Sequence, residues 1–166
     1  WFALIFGEDE GVVADTANVL IKSWEKANPS AVLTLEEDDV KREPARLFDA
    51  LEAVSLLGEG TIIRIRTKGE KLFALMIEVL ELPAERVAAK LVLQNGSLNT
   101  RSKLRTAFEA APNAAALHLF ADSASDMSDL VGRFLSERSV TIDPDALSFV
   151  VGGLPGHRSL ANAEME

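Results

Sequence analysis

Few residues of this 166-residue chain are of the types that carry out nucleophilic, redox or metal chemistry. Cysteine is absent, and the two histidines are His118 and His157. A disulfide, a thiolate zinc site and a cysteine nucleophile are therefore excluded, and a multi-histidine metal site or a Ser-His-Asp triad is poorly supplied. His118 alternates with apolar residues in a predicted strand, which indicates a packed histidine. His157 stands beside Arg158 at a predicted helix start and is expected to be exposed.

The first predicted strand-to-helix turn is the place where an open parallel sheet commonly binds its ligand. It reads Gly7-Glu8-Asp9-Glu10-Gly11, with a glycine spacing similar to that of a phosphate-binding loop. Such a loop also needs a lysine, and a serine or threonine for magnesium, and this turn has neither. Its three carboxylates would each repel a nearby phosphate charge by about 1 kcal/mol in water. We expect no nucleotide cofactor here and interpret the acids as complementing the positive end of the first helix dipole.

A magnesium-dependent switch or ATPase needs further acids at the ends of other strands. The third predicted strand ends in Arg64-Ile65-Arg66-Thr67 and the fifth in Phe120-Ala121-Asp122. An acceptor aspartate, its partner lysine and the Asp-Glu pair of an ATPase are all missing from these positions. We therefore predict no catalytic residue, no cofactor and no metal. A nucleotide- or magnesium-dependent α/β enzyme or switch with an atypical first loop stays open as the alternative.

Short apolar runs alternate with helical stripes along most of the chain. Strands are predicted at residues 2–6, 31–35, 61–66, 90–94 and 115–120, with helices between them. This order predicts an α/β fold, a five-stranded parallel sheet with flanking helices. After Asp122 the strand signal ends, and helices are predicted near 127–134, at 144–154 and from Gly156 onward. The sequence thus predicts two domains, residues 1–121 (α/β) and 122–166 (small and all-helical).

Composition narrows the class of partner. Hydrophobic residues make up 48% of the chain and charged ones 26%, which is enough for an apolar core. The net charge of −9 argues against a simple electrostatic grip on DNA phosphates. No run of 18 apolar residues occurs, so no membrane span is predicted, and a cytoplasmic location is expected. Because the chain begins at Trp1 without a methionine, we expect it to be a piece of a longer protein.

Two segments could contact a partner. Leu47, Leu51 and Val54 are predicted to continue one helical stripe toward the sheet, and Leu56 and Leu57 follow at the end of that helix. Adjacent leucines point about 100° apart on a helix, so either one is exposed at a tip or both fold back into the core. The other segment is basic and contains three cations, Arg101, Lys103 and Arg105. Arg101 and Arg105 are spaced to share a helix face, which fits either a solvated helix start or a contact with acidic groups or phosphate.

These segments, in this order, resemble the delta subunit of the bacterial DNA polymerase III clamp loader. The resemblance is carried by the acidic first turn, by Val54-Ser55-Leu56-Leu57-Gly58 and by the basic segment from Arg101 to Arg105. The tail segments starting at Ile142 and at Gly156 are also similar, so the resemblance covers nearly the whole chain. It implies an AAA+-like domain (residues 1–121) that lacks a functional P-loop and a truncated, lid-like helical domain (residues 122–166). A C-terminal collar domain would be absent.

The same resemblance implies a function without catalysis by this chain itself. Members of that family open the ring-shaped sliding clamp, the beta subunit, by inserting an apolar helix tip, and they do not bind ATP. The residues matching that tip are Val54, Leu56 and Leu57, although the family often has a larger aromatic at the position of Leu57. Arg101, Lys103 and Arg105 would be candidate polar contacts. The implied partners are the clamp, other clamp-loader subunits through the missing domain, and DNA within the polymerase III holoenzyme; a scaffold in another ATPase-derived complex is a further alternative.

Overall fold

The computed structural model describes residues 1–55, 58–120 and 124–154, with side chains in the last stretch from residue 126. Its elements follow the chain in this order: β1 (Phe2–Gly7), α1 (Glu10–Ala27), β2 (Ser30–Glu36), α2 (Glu37–Arg42), α3 (Pro44–Glu52), β3 (Gly60–Arg66), α4 (Phe73–Leu80), a 3-10 turn (Ala84–Arg86), β4 (Lys90–Asn95), α5 (Lys103–Ala110), β5 (Ala114–Leu119), α6 (Ala124–Glu137) and α7 (Pro144–Gly153). The predicted α/β fold with a five-stranded parallel sheet is confirmed.

The sheet has the strand order β2-β3-β4-β1-β5, and every pair of neighbours is parallel. β1 lies between β4 and β5, with Phe2 opposite Leu91 on one side and Ala114 on the other. All six residues of β1 are buried. A strand that is covered on both faces needs a continuous apolar run rather than an alternating one, and this is what residues 2–6 provide.

Apolar side chains pack against both faces of this sheet. On one face, α1 places Val13, Ala17 and Ile21 against strand residues that include Ile5. The opposite face is covered by helices α2 to α5, whose packing residues include Leu47 of α3. Successive residues of β1 alternate between the two clusters because side chains in a strand point to opposite faces. Helices on both faces leave the two ends of the strands accessible.

The chain divides into two compact units, Trp1–Leu119 and a second unit that begins at Phe120. In the second unit, α6 and α7 contact each other. Asp143 caps α7 by accepting a hydrogen bond from the Asp145 amide (2.9 Å), and Pro144 occupies the first helical turn. This start was predicted from the sequence, because aspartate caps helices and proline suits a first turn whose amide has no partner. The predicted helix from Gly156 lies outside the described residues.

The acidic run that follows β2 begins a short helix of its own, since Glu37–Arg42 forms α2. One local prediction, for the next helix, was wrong. The stripe of α3 was predicted to reach Val54, but the helix ends at Glu52. Ala53 has extended backbone angles (φ −64°, ψ 120°), and the Val54 side chain is 80% exposed instead of facing the sheet.

Candidate functional site

The first turn of α1 is occupied by a carboxylate of the chain itself. Asp9 is buried, and its Oδ1 accepts hydrogen bonds from the amides of Gly11 (2.8 Å) and Val12 (3.1 Å). In a phosphate-binding loop, free amides at this place would face the ligand. The expectation that an acid here complements the α1 dipole is confirmed for Asp9, which satisfies two otherwise unpaired amides. Glu10 points elsewhere and forms an ion pair with Lys68 (2.6 Å).

A cleft of about 540 Å³ lies beside this turn, at the carboxyl ends of β2, β3 and β4. Most of its lining residues are polar or charged, with both signs of charge present; they are Glu10, Val13, Ala14, Glu36, Glu37, Asp38, Arg66, Thr67, Lys68, Lys71, Gln94, Asn95 and Gly96. Ion pairs join its walls, including Arg66 with Glu36 (3.2 Å) and Lys71 with Glu37 (3.0 Å). The cations of the cleft are thus engaged by neighbouring carboxylates.

Glu37 is the centre of the polar contacts in this cleft. Its Oε2 accepts hydrogen bonds from the Thr67 hydroxyl (2.6 Å) and the Lys68 amide (3.1 Å), and its carboxylate pairs with Lys41 and Lys71. Hydrogen bonds from Lys41 and Thr67 hold the pKa of Glu37 well below its ordinary value. The carboxylate therefore stays ionised and fixes the loop after β3 to the start of α2.

The carboxyl end of β4 is closed by side-chain amides. Asn95 is buried and pairs with the backbone of Gly69 in both directions: its Oδ1 accepts from the Gly69 amide (2.9 Å) and its Nδ2 donates to the Gly69 carbonyl (2.7 Å). Gln94 accepts from Arg64 Nε (2.8 Å). These contacts satisfy buried amides within the protein. The Asn95 pair holds the loop after β3 against β4, and the Gln94 contact joins β4 to β3 itself.

Val54, the first residue of the predicted apolar tip, lies at the opposite, amino end of the strands, between α3 and β3. Val54 is exposed there, while Leu56 and Leu57 lie outside the described residues. The next described residue is Gly58, which has a positive φ of 76°. Its amide donates a hydrogen bond to the Ser55 carbonyl (3.3 Å). The structure therefore places Val54 at the surface and leaves the predicted roles of the two leucines untested.

The basic segment does not act as one face. α5 begins at Lys103 with Ser102 as its cap, so Arg101 precedes the helix and the predicted sharing of a helix face with Arg105 is wrong. Arg105 folds back onto the protein: it lies 5.4 Å from the centre of the Phe6 ring and pairs with Glu109 (2.7 Å). Arg101 and Lys103 are exposed. The segment thus divides into a structural arginine and two solvated cations.

Packing accounts for His118, the histidine that the structure describes. The His118 ring stacks on Phe6 with centroids 4.7 Å apart and planes 4° apart, so the predicted packed histidine is confirmed. His157 lies outside the described residues. Across residues 1–55, 58–120 and 124–154, no cluster of three or more histidine, aspartate or glutamate side chains is arranged to hold a metal ion. Within the same ranges, no helix combines the length and apolarity needed to cross a membrane.

Sequence reasoning missed Glu37 as the centre of the cleft. It lay in a run of four acids, Glu36 to Asp39, whose pattern gives no reason to prefer one of them. Thr67 and Lys68, which bind Glu37, are about thirty residues away in the chain. A usable signal was the register of parallel strands, because residues that end neighbouring strands meet at the same edge of the sheet.

The parallel sheet with helices on both faces agrees with an AAA+-like fold, the fold of the solved structures that the chain resembles. No protein-family model and no curated protein sequence matches the chain. Among solved structures, it is similar to the Bacillus subtilis DNA clamp loader delta protein YqeN, with 19% identity and a TM-score of 0.59, covering 99% of this chain and 51% of that one. It is also similar to a variant of Thermotoga maritima RuvB, with 14% identity and a TM-score of 0.59 over 99% of this chain and 52% of that one.

A further structure of Thermotoga maritima RuvB, described as a Holliday junction branch migration motor, gives 16% identity and a TM-score of 0.55 over 99% of this chain and 52% of that one. At these identities the likeness establishes the fold. The chain spans about half the length of each of these structures.

Proposed function

We propose that this chain is the clamp-binding part of a clamp-loader delta subunit. It would bind and open a sliding clamp during DNA replication through the apolar tip formed by Val54, Leu56 and Leu57, without binding ATP. The likeness to the Bacillus subtilis clamp loader delta protein over 99% of the chain is the main support. The exposure of Val54 at the start of this tip agrees with it.

The RuvB structures share the fold to a similar degree, so the fold alone does not choose between a motor and a non-catalytic subunit. The first turn of α1 favours the subunit. Asp9 occupies the Gly11 and Val12 amides, and neither a P-loop lysine nor a magnesium-binding hydroxyl is present in the turn. A phosphate would have to displace a buried, hydrogen-bonded carboxylate before it could bind.

Burial of the tip is large enough to act on a ring interface. Burying one leucine side chain contributes roughly 1.5–3 kcal/mol, so two contribute about 3–6 kcal/mol before the cost of association. At the upper end of this range, the free energy changes an equilibrium constant by several powers of ten. The partner of this surface is a protein pocket, so the net charge of −9 does not oppose the proposal. The action would be cytoplasmic and joined with other clamp-loader subunits, with DNA reached only within that complex.

The decisive variant replaces both Leu56 and Leu57 by alanine. We expect at least a tenfold loss of affinity for the sliding clamp, measured by surface plasmon resonance, at an unchanged melting temperature. Val54→Ala should also weaken binding, whereas Val19→Ala should not, since Val19 is similarly exposed (68%, against 80% for Val54) but lies on α1. Unchanged affinity of the folded Leu56→Ala/Leu57→Ala variant would contradict the proposal.

Binding of ATP is tested separately by calorimetry with ATP and magnesium. We expect no binding heat at micromolar concentrations. Micromolar affinity that is lost on mutation of the first turn would instead favour the alternative, a nucleotide-dependent α/β switch. Arg101 and Lys103 are retained as candidate polar contacts, to be replaced by alanine in the same clamp-binding assay.

A further inference from the structure

The end of α3, directly before the apolar tip, is held by a segment distant in the chain. The residues Ala84 to Ala89, which we call the bracket, contain the 3-10 turn and lead into β4. Two bracket amides, those of Ala88 (2.8 Å) and Ala89 (3.1 Å), both donate to the Leu51 carbonyl. Such backbone bonds satisfy a carbonyl at a helix end that has no partner within the helix.

A side-chain contact completes this attachment. Arg86 Nη2 lies 2.6 Å from Glu52 Oε1, and Glu52 is the last residue of α3. The two side chains are 59% and 31% exposed, so water reaches both of them. Because Val54 follows Glu52 by two residues, the direction in which the chain leaves α3 depends on how this last turn is held.

The other side of the tip is also fixed. The Gly60 amide, at the start of β3, donates to the Pro29 carbonyl (2.8 Å). A Cβ at position 60 would lie 2.6 Å from Ser30 Oγ, so only glycine fits there without a shift of its neighbours. The chain thus leaves an anchored element at Ala53 and enters another at Gly60.

We infer that Arg86 is a positioning residue, which by pairing with Glu52 orients the exposed Val54, the first residue of the apolar tip, for insertion into the clamp. This inference rests on the proposed function, and it adds to it a residue outside the tip. A tip held in its binding direction loses less conformational freedom on association than a free one, which raises affinity without a new contact. An exposed ion pair has a modest effect, so we expect about a three- to fivefold change in affinity.

The experiment compares clamp affinity for the whole chain and four variants. Arg86→Ala should weaken binding about three- to fivefold. The charge-exchanged variant, Glu52→Arg with Arg86→Glu, should restore most of this loss. Arg42→Ala is the matched control, because Arg42 also forms an exposed ion pair, with Asp39 (3.9 Å), but on α2; its affinity should equal that of the unmodified chain. The fourth variant is Leu56→Ala/Leu57→Ala.

Salt separates the electrostatic contribution of Arg86 from the apolar burial of the tip. The difference in clamp affinity between Arg86→Ala and the unmodified chain should shrink at about 1 M salt. The Debye length is then roughly 3 Å, so an exposed ion pair is largely screened. The loss caused by Leu56→Ala/Leu57→Ala should persist, since apolar burial does not depend on charge. Melting temperatures are recorded for every variant, and a general loss of structure would lower them together with affinity.

The outcomes distinguish failure of the positioning role from failure of the proposed function. If Leu56→Ala/Leu57→Ala weakens clamp binding while Arg86→Ala does not, the positioning role is wrong and the clamp-binding function stands. If Arg86→Ala weakens binding and the charge-exchanged variant does not recover it, Arg86 acts by another route and the inference is overturned. If the leucine variant binds normally, the proposed function itself is wrong.

Discussion

At the scale of single residues, the carboxylate of Glu37 accepts hydrogen bonds from two parts of the chain. Lys41 approaches from the same helix, and Thr67, Lys68 and Lys71 approach from the loop after β3. With only 12% of its side chain exposed, the carboxylate depends on these donors to replace water. They stabilise its ionised form, which is why its pKa is lowered. The stability of the cleft should therefore depend on pH.

Glu37→Gln should lower the free energy of unfolding by about 1–3 kcal/mol at pH 7, because the charge-assisted hydrogen bonds are lost. A carboxyl whose pKa is lowered by folding stabilises the protein above its unfolded pKa, near 4.5, and loses this contribution as the pH falls toward its folded pKa. The gap between variant and unmodified protein should thus narrow below about pH 4.5. Urea titrations at several pH values measure it.

Asp38→Asn is the matched control, since Asp38 is exposed in the same first turn of α2. It should change stability by less than about 0.5 kcal/mol. A gap for Glu37→Gln that stays constant between pH 7 and pH 3 would contradict the assigned role of the carboxylate.

At the scale of elements, β1 pairs with both β4 and β5, and its last residue approaches β5 closely. A Cβ added to Gly7 would lie 2.5 Å from the Leu119 carbonyl oxygen of β5. Real Cβ atoms do not come this close to backbone, so β5 must shift if position 7 carries a side chain. The pairing of β1 with β5 therefore requires glycine at this position.

Gly7→Ala should destabilise the fold by about 1–3 kcal/mol through this overpacking. Gly96→Ala serves as the control, because a Cβ there would meet nothing within 4 Å. Chemical denaturation of both variants checks the difference. Equal stability of the two would mean that β5 accommodates the methyl group without cost.

The sequence was sufficient to predict elements whose cause is local. Buried strands such as β1 are continuous apolar runs, and the caps of α7 follow from Asp143 and Pro144. The sequence was insufficient where contacts with distant residues determine the end of a helix or the surroundings of a side chain. The end of α3 at Glu52 is held by bracket residues more than thirty positions away, so the apolar Val54 does not extend the helix. The contacts of Glu37 were missed for the same reason.

At the scale of the whole molecule, both apolar clusters that cover the sheet belong to the first compact unit. Their buried members run from Phe2 to Phe108, and the partly buried ones extend to Leu119. This unit also contains the five strands. A unit with its own core is expected to fold as a domain.

A chain ending at Leu119 should therefore unfold cooperatively on its own. Fluorescence of Trp1 and Trp24 during urea unfolding, compared with circular dichroism, gives the measurement, since coincident transitions indicate two states. A chain ending at Ala110 is the control, because it also lacks β5 and should not show such a transition. Failure of the longer fragment to unfold cooperatively would show that the first unit needs the second.

Gly7 also has a consequence for sequence searches that look for phosphate-binding loops. The glycine that gives the first turn its likeness to a phosphate-binding loop is explained by the nearby Leu119 carbonyl, with no reference to a ligand. Strand packing alone is thus enough to require glycine at this position, whether or not a phosphate binds beside it. A search that weights only the glycines of the motif does not distinguish a phosphate-binding turn from one required by packing, whereas the lysine and hydroxyl positions do.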